Sequence, residues 1–193
     1  MHLCDNLGLE LNLSKCEYFS SGDIKEVEKA LGSFLRLAPA VKILSLDKLS
    51  LLGAPIHENL ISSAIQDKLF KFEIMRERLS FLSSHLALFL LKNAISVPRL
   101  NYILRSTPCW KNMNSLHLLD DALKAALEEI INCLLSSSAW SQATLPICMG
   151  GIGFRKTTEL ALSAFLASVH SCAPLIPQII PNHDIVSSPV VSE

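Results

Sequence analysis

Gly150, Gly151 and Gly153, with Thr157 and Thr158 just downstream, are the residues whose types and spacing first suggest ligand chemistry. A glycine-rich turn ahead of a helix lets backbone N–H groups converge on a phosphate. The spacing here is neither G-x-G-x-x-G nor G-x-x-x-x-G-K-[ST], and no clear strand precedes it, so a structural turn is the expected reading. Asp120 and Asp121 are adjacent carboxylates, but helix neighbours point about 100° apart and do not face each other. The pair reads as the exposed start of a helix, near its positive end. His2, His57, His85, His117, His170 and His183 are scattered with no i, i+4 pair, and no Ser-His-Asp or Cys-His arrangement emerges. Cys4, Cys16, Cys109, Cys133, Cys148 and Cys172 form neither C-x-x-C nor a zinc spacing, so buried reduced thiols and an intracellular (cytoplasmic or nuclear) setting are expected. Trp110 and Trp140 lie in expected loops and read as packing anchors.

Charge offers a second kind of chemistry. The net charge of −1 excludes a chain that binds polyanions through its overall charge. Its distribution is uneven: residues 57–105 carry a net +3, and residues 157–193 a net −3. A polyanion contact is therefore expected within 57–105, from Lys68, Lys71, Arg76 and Arg78; a solvated basic helix face is the plain alternative. With 50% hydrophobic residues among 193, the chain can bury a sizeable core in one domain or two small ones. The N-terminus lacks a basic segment followed by an apolar run, and Leu86–Leu91 is too short to span a bilayer, so neither a signal peptide nor membrane association is expected.

The elements that must position these residues change character at Leu51-Leu52-Gly53-Ala54-Pro55-Ile56, where Gly and Pro suit a sharp bend. Upstream, Leu9, Leu11 and Leu13 alternate with polar residues, and Lys15–Phe19 continues as a strand. Ile24–Leu37 carries a helical period, and Val41–Leu52 suits one or two strands. Downstream, Ile61, Ile65, Leu69, Phe72, Met75, Leu79 and Leu82 form one stripe, with Lys68, Lys71 and Arg78 on its flank. Ser84–Ile95 is apolar nearly all round and is expected to lie buried between other helices. Arg99–Arg105 is a short helix behind Pro98, and Leu116–Leu135 a long one capped by Ser115. Ser136–Met149 reads as loop; Thr157 or Thr158 caps a last helix reaching about His170. The fold class expected is mainly α with a small N-terminal α+β portion. Residues 1–56 form the α+β segment, 57–172 a helical domain, and 173–193 a Pro-rich tail without regular structure.

Three stretches carry a resemblance. Gly8-Leu9-Glu10-Leu11-Asn12-Leu13-Ser14-Lys15-Cys16-Glu17 resembles a motif that follows the catalytic Tyr-x-Asp-Asp hairpin in reverse transcriptases of non-long-terminal-repeat retrotransposons. Leu51–Ile56 is similar to the primer-grip turn of that family. Leu145-Pro146, Gly150–Arg155 and Ala161–Ser168 resemble a stretch found downstream of such polymerases. The order and rough spacing match across about residues 6–170. The resemblance implies palm-edge strands followed by a thumb-like helical bundle. Lys15 would match a lysine near the incoming nucleotide's phosphates; alone it reads equally well as an exposed strand lysine. Leu52 and Gly53 would match the turn that holds the primer backbone. Lys68, Lys71 and Arg78 would follow duplex phosphates. No Tyr-x-Asp-Asp occurs, so no catalytic residue is assigned. No cofactor is expected, since Mg²⁺ would require carboxylates that an upstream palm segment alone could supply. The expected function is a reverse-transcriptase fragment with weak binding to RNA or an RNA–DNA hybrid; the alternative is a catalytically dead helical scaffold for a protein partner.

Overall fold

A computed structural model describes Gly8, Gly32, Arg36 and residues 12–19, 38–45 and 48–179. The chain divides into two compact units, Met1–Leu51 and Leu52–Glu193. In the first, strands β1 (Glu17–Tyr18) and β2 (Lys42–Ile43) pair in parallel, Glu17 beside Lys42 and Tyr18 beside Ile43. Parallel pairing requires a crossover, and Gly32 and Arg36 within it are helical. The strand expected over Lys15–Phe19 is shorter than the pattern suggested. Leu13–Lys15 is a 3₁₀ turn, because Asn12 caps it by accepting the Ser14 N–H at 3.2 Å. Most of the expected helix Ile24–Leu37 and the Leu9–Leu11 alternation lie outside the described residues. Strands β3 (Ser50–Leu51) and β4 (Ala54–Pro55) flank a turn.

The second unit is helical: α1 (Ile61–Leu79), α2 (Ser84–Leu90), α3 (Val97–Ser106), α4 (Met113–Ile131), α5 (Ser137–Thr144), α6 (Thr157–Cys172) and the single turn α7 (Ile176–Ile179). The molecule is thus mainly α, with short strands near its N-terminus. One core joins Phe72 and Leu79 of α1 to Leu91, Leu123, Leu127 and Phe154. A second joins Ile61 and Ile65 to Leu100, Ile103 and Leu104 of α3, Leu116 and Leu119 of α4, and Ala161 of α6. The long helix α4 serves both because its apolar stripe runs its full length: Leu116, Leu119, Leu123, Ala126 and Leu127 are all buried. Ala161 has no exposed surface, and its small side chain brings α6 close to the second core.

Several sequence expectations are corrected. The run Ser84–Ile95 is not buried all round: Leu86 is 47% and Phe89 62% exposed, and only Ala87 and Leu91 are fully inside. Its last five residues, Leu91–Ile95, form a π-helical turn closed by the Ser96 N–H on the Leu91 carbonyl at 3.0 Å. Ser136–Met149 is not all loop: Ser136 caps α5 by accepting the Ala139 N–H at 3.2 Å, and Trp140 packs on the first core from within that helix. Trp110 lies in a 3₁₀ turn, its ring centroid 4.6 Å from that of Phe165. α6 continues to Cys172, and Pro177 does not prevent α7, because it stands in the first turn where no N–H is needed. Among the described cysteines only Cys109 is buried; Cys133, Cys148 and Cys172 are exposed.

The glycine-rich stretch is a turn folded onto the end of α5. The Gly150 N–H donates to the Ile147 carbonyl, Gly151 to Pro146, Ile152 and Phe154 to Ala143, and Gly153 to Leu145, all within 2.9–3.2 Å. These amides are engaged by the chain itself, which removes the donors a phosphate loop would need. Gly151 must be glycine, since a Cβ there would collide with the Leu145 carbonyl.

Candidate nucleic-acid interface

Helix α1 carries the basic positions. Ile61, Ile65, Phe72 and Leu79 bury its apolar face. Lys68 borders that face and is half-buried; Lys71 and Arg78 are exposed, two turns apart or about 10 Å along the axis. Lys71 donates to Asp67 at 2.7 Å, an exposed i, i+4 pair that a phosphate could displace at little cost. Among the described residues, Lys68 and Arg78 form no ion pair. Arg76 is different. Its guanidinium grips Glu129 of α4 through two bonds of 3.0 and 2.9 Å and reaches Glu73 at 2.8 Å. This bidentate arrangement ties α1 to α4, so Arg76 is a structural arginine and leaves the set of phosphate contacts.

The other positions suggested by the resemblance lie elsewhere. Lys15 is exposed at the end of the 3₁₀ turn in the first unit. Leu52 and Gly53 form the two-residue turn between β3 and β4, with φ of 52° and 82°. Glycine adopts this left-handed region freely, whereas leucine does so at a cost of about 1–2 kcal/mol. Leu52 is 87% exposed, so packing of its side chain does not offset that cost.

One arrangement had no counterpart in the sequence reading. Asp120 is not an exposed helix start but 5% exposed, and it faces the N-terminus of α6. One carboxylate oxygen accepts from the Thr157 N–H and hydroxyl at 2.6 and 2.7 Å. The other accepts from the Thr158 N–H and hydroxyl at 3.2 and 2.7 Å. The threonines expected to cap α6 are therefore inside it, and the cap is supplied by α4. The residue at the usual cap position is Lys156, which cannot accept a hydrogen bond; that was the available signal. The helix dipole and four donors stabilise this carboxylate in place of a cation.

Among the described residues, no three His, Cys, Asp or Glu side chains gather as a metal site, and no helix is long and apolar enough to cross a membrane. No protein-family model matches this chain, and neither does any curated protein or solved structure with which it was compared.

Proposed function

We propose that this chain is a thumb-like module of reverse-transcriptase descent, without polymerase chemistry of its own, that binds the backbone of an RNA–DNA hybrid weakly. The observation that supports it is the set of cations on one helix, α1, where, among the described residues, Lys68 and Arg78 meet no counter-ion and Lys71 meets only an exposed one. The exposed, left-handed Leu52-Gly53 turn fits the backbone-holding role that its resemblance suggests. Lys15, exposed in the first unit, is a separate phosphate contact suggested by the resemblance, and an upstream palm would be the source of any Mg²⁺ site.

The test is a fluorescence-anisotropy titration of an RNA–DNA hybrid at several salt concentrations. Three phosphate contacts give a slope of log K against log salt of roughly −3, with a Kd of about 10⁻⁴ to 10⁻⁶ M. Changing Lys68, Lys71 and Arg78 together to Gln flattens the slope without unfolding α1, because none of them belongs to its buried face. Absence of binding at low salt overturns the proposal. The competing reading, a helical scaffold for a protein partner, is favoured by one observation: Phe81, Leu86 and Phe89 are 87%, 47% and 62% exposed around the α1–α2 corner.

A further inference from the structure

A cavity of about 590 Å³ opens between the π-helical turn, the start of α3, and α6. This volume falls within the range of small-molecule sites, about 300–1,000 Å³. Lys92, Arg155, Asn93, Asn101 and Ser163 supply its polar wall; Val97, Leu104 and Leu160 supply an apolar one. Among the described residues, no carboxylate lines it. Among the described residues, five other cations of the helical unit, Lys71, Arg76, Lys111, Lys124 and Lys156, meet acids. The side chains of Lys92, Asn101 and Arg155 make neither a hydrogen bond nor an ion pair among the described residues.

The position of Lys92 is built. The π-turn, a rare geometry that collects at functional sites, carries Lys92 and Asn93 to the rim. Gly153, at φ 82°, leaves space for the ammonium: a Cβ there would lie 3.2 Å from Lys92 Nζ. Lys92 is half-buried, so its charge has lost part of its hydration with no anion to replace it. Two cations facing a space that no described carboxylate lines suit an anion, and the volume and mixed walls suit a body attached to it.

We infer that this cavity binds a phosphorylated small molecule of about nucleotide size, with the phosphate held between Lys92 and Arg155. The site is separate from the flank of α1 and does not depend on the reading given to that flank.

The probes are adenosine 5′-monophosphate, adenosine, inorganic phosphate and a 5′-phosphorylated oligonucleotide, titrated by calorimetry into the whole chain at constant ionic strength. The monophosphate binds, inorganic phosphate binds more weakly, and adenosine binds at least about tenfold more weakly than the monophosphate, the worth of one charge-assisted contact. Lys92→Gln and Arg155→Gln each weaken monophosphate binding about tenfold or more. Both variants melt as the unaltered protein does, since neither side chain has a partner to lose among the described residues. The Lys68, Lys71 and Arg78 triple variant keeps its affinity for the monophosphate. Equal binding of monophosphate and adenosine, indifference to both Gln variants, or no binding of the monophosphate overturns the assignment. Binding of the oligonucleotide alone also overturns it, by showing that the phosphate belongs to a nucleic-acid end.

Discussion

Two places along α6 treat charge in opposite ways. At its N-terminus, Asp120 is buried and saturated by four donors from Thr157 and Thr158. Along the side facing α3, Lys92 and Arg155 stand against open space and meet no acceptor among the described residues. The first arrangement is internally complete and holds α4 to α6. The second is incomplete until something else arrives. A charge that has all its partners tells about folding, and a charge without them marks where a ligand gains most.

The largest expected effect breaks the complete half of this comparison. Asp120→Ala removes the acceptor for two backbone and two hydroxyl donors, and Thr157 is wholly buried. The expected loss in urea unfolding is about 3 kcal/mol or more, because the backbone donors have no substitute. Asp120→Asn should lose less, since one oxygen still accepts. A loss from Asp120→Ala below about 1 kcal/mol would mean that water replaces the carboxylate, and the contrast between the two places would disappear.

A smaller effect extends the comparison to a group that must stay neutral. Burial pushes the Cys109 thiol up to about 12 from an ordinary 9. With the folded value raised, its contribution is fully present below pH 9 and is lost as pH rises toward 12. The stability gap between the native chain and Cys109→Ala should therefore narrow between about pH 8 and about pH 10.5. A thiol reagent at mildly alkaline pH should modify the exposed Cys133, Cys148 and Cys172 quickly, and Cys109 only after unfolding. Fast modification of Cys109 in the folded chain would contradict its burial.

The smallest effect concerns a buried polar group with nothing attached. The Thr107 hydroxyl is buried and has no hydrogen-bond partner among the described residues. Thr107→Val keeps the shape and removes an unsatisfied group, so stability should stay level or rise by up to about 1 kcal/mol. A clear loss would reveal a bridging water and move Thr107 into the satisfied class with Asp120.

The helices were legible where their apolar period was long. Ile61, Ile65, Phe72 and Leu79 mark α1 in the sequence and are buried in the fold. Ser136–Met149 was misread because Ala139, Trp140 and Ala143 give too few apolar positions to reveal α5. The uniform hydrophobicity of Ser84–Ile95 did not say which side faces the core, since α2 has more apolar surface than its neighbours cover. The candidate site was legible as residue types only. Lys68, Lys71, Arg76 and Arg78 look alike along the chain, and Arg76 is separated from them by Glu129, 53 residues away.

The sequence by itself determined the local matters: where α1, α3 and α6 run, that Pro98 opens α3, and that Gly150–Gly153 turns the chain; the long helix expected over Leu116–Leu135 with a Ser115 cap instead runs Met113–Ile131, with Ser115 buried inside it. These follow from side-chain period and backbone freedom within a few residues. Tertiary structure alone decided which charges are answered. Asp120 finds its donors 37 residues away, Arg76 finds Glu129, and Lys92 meets Gly153 and no acid among the described residues. The reason is physical: a hydrogen bond or an ion pair depends on distances of about 3 Å, and only packing brings distant residues that close.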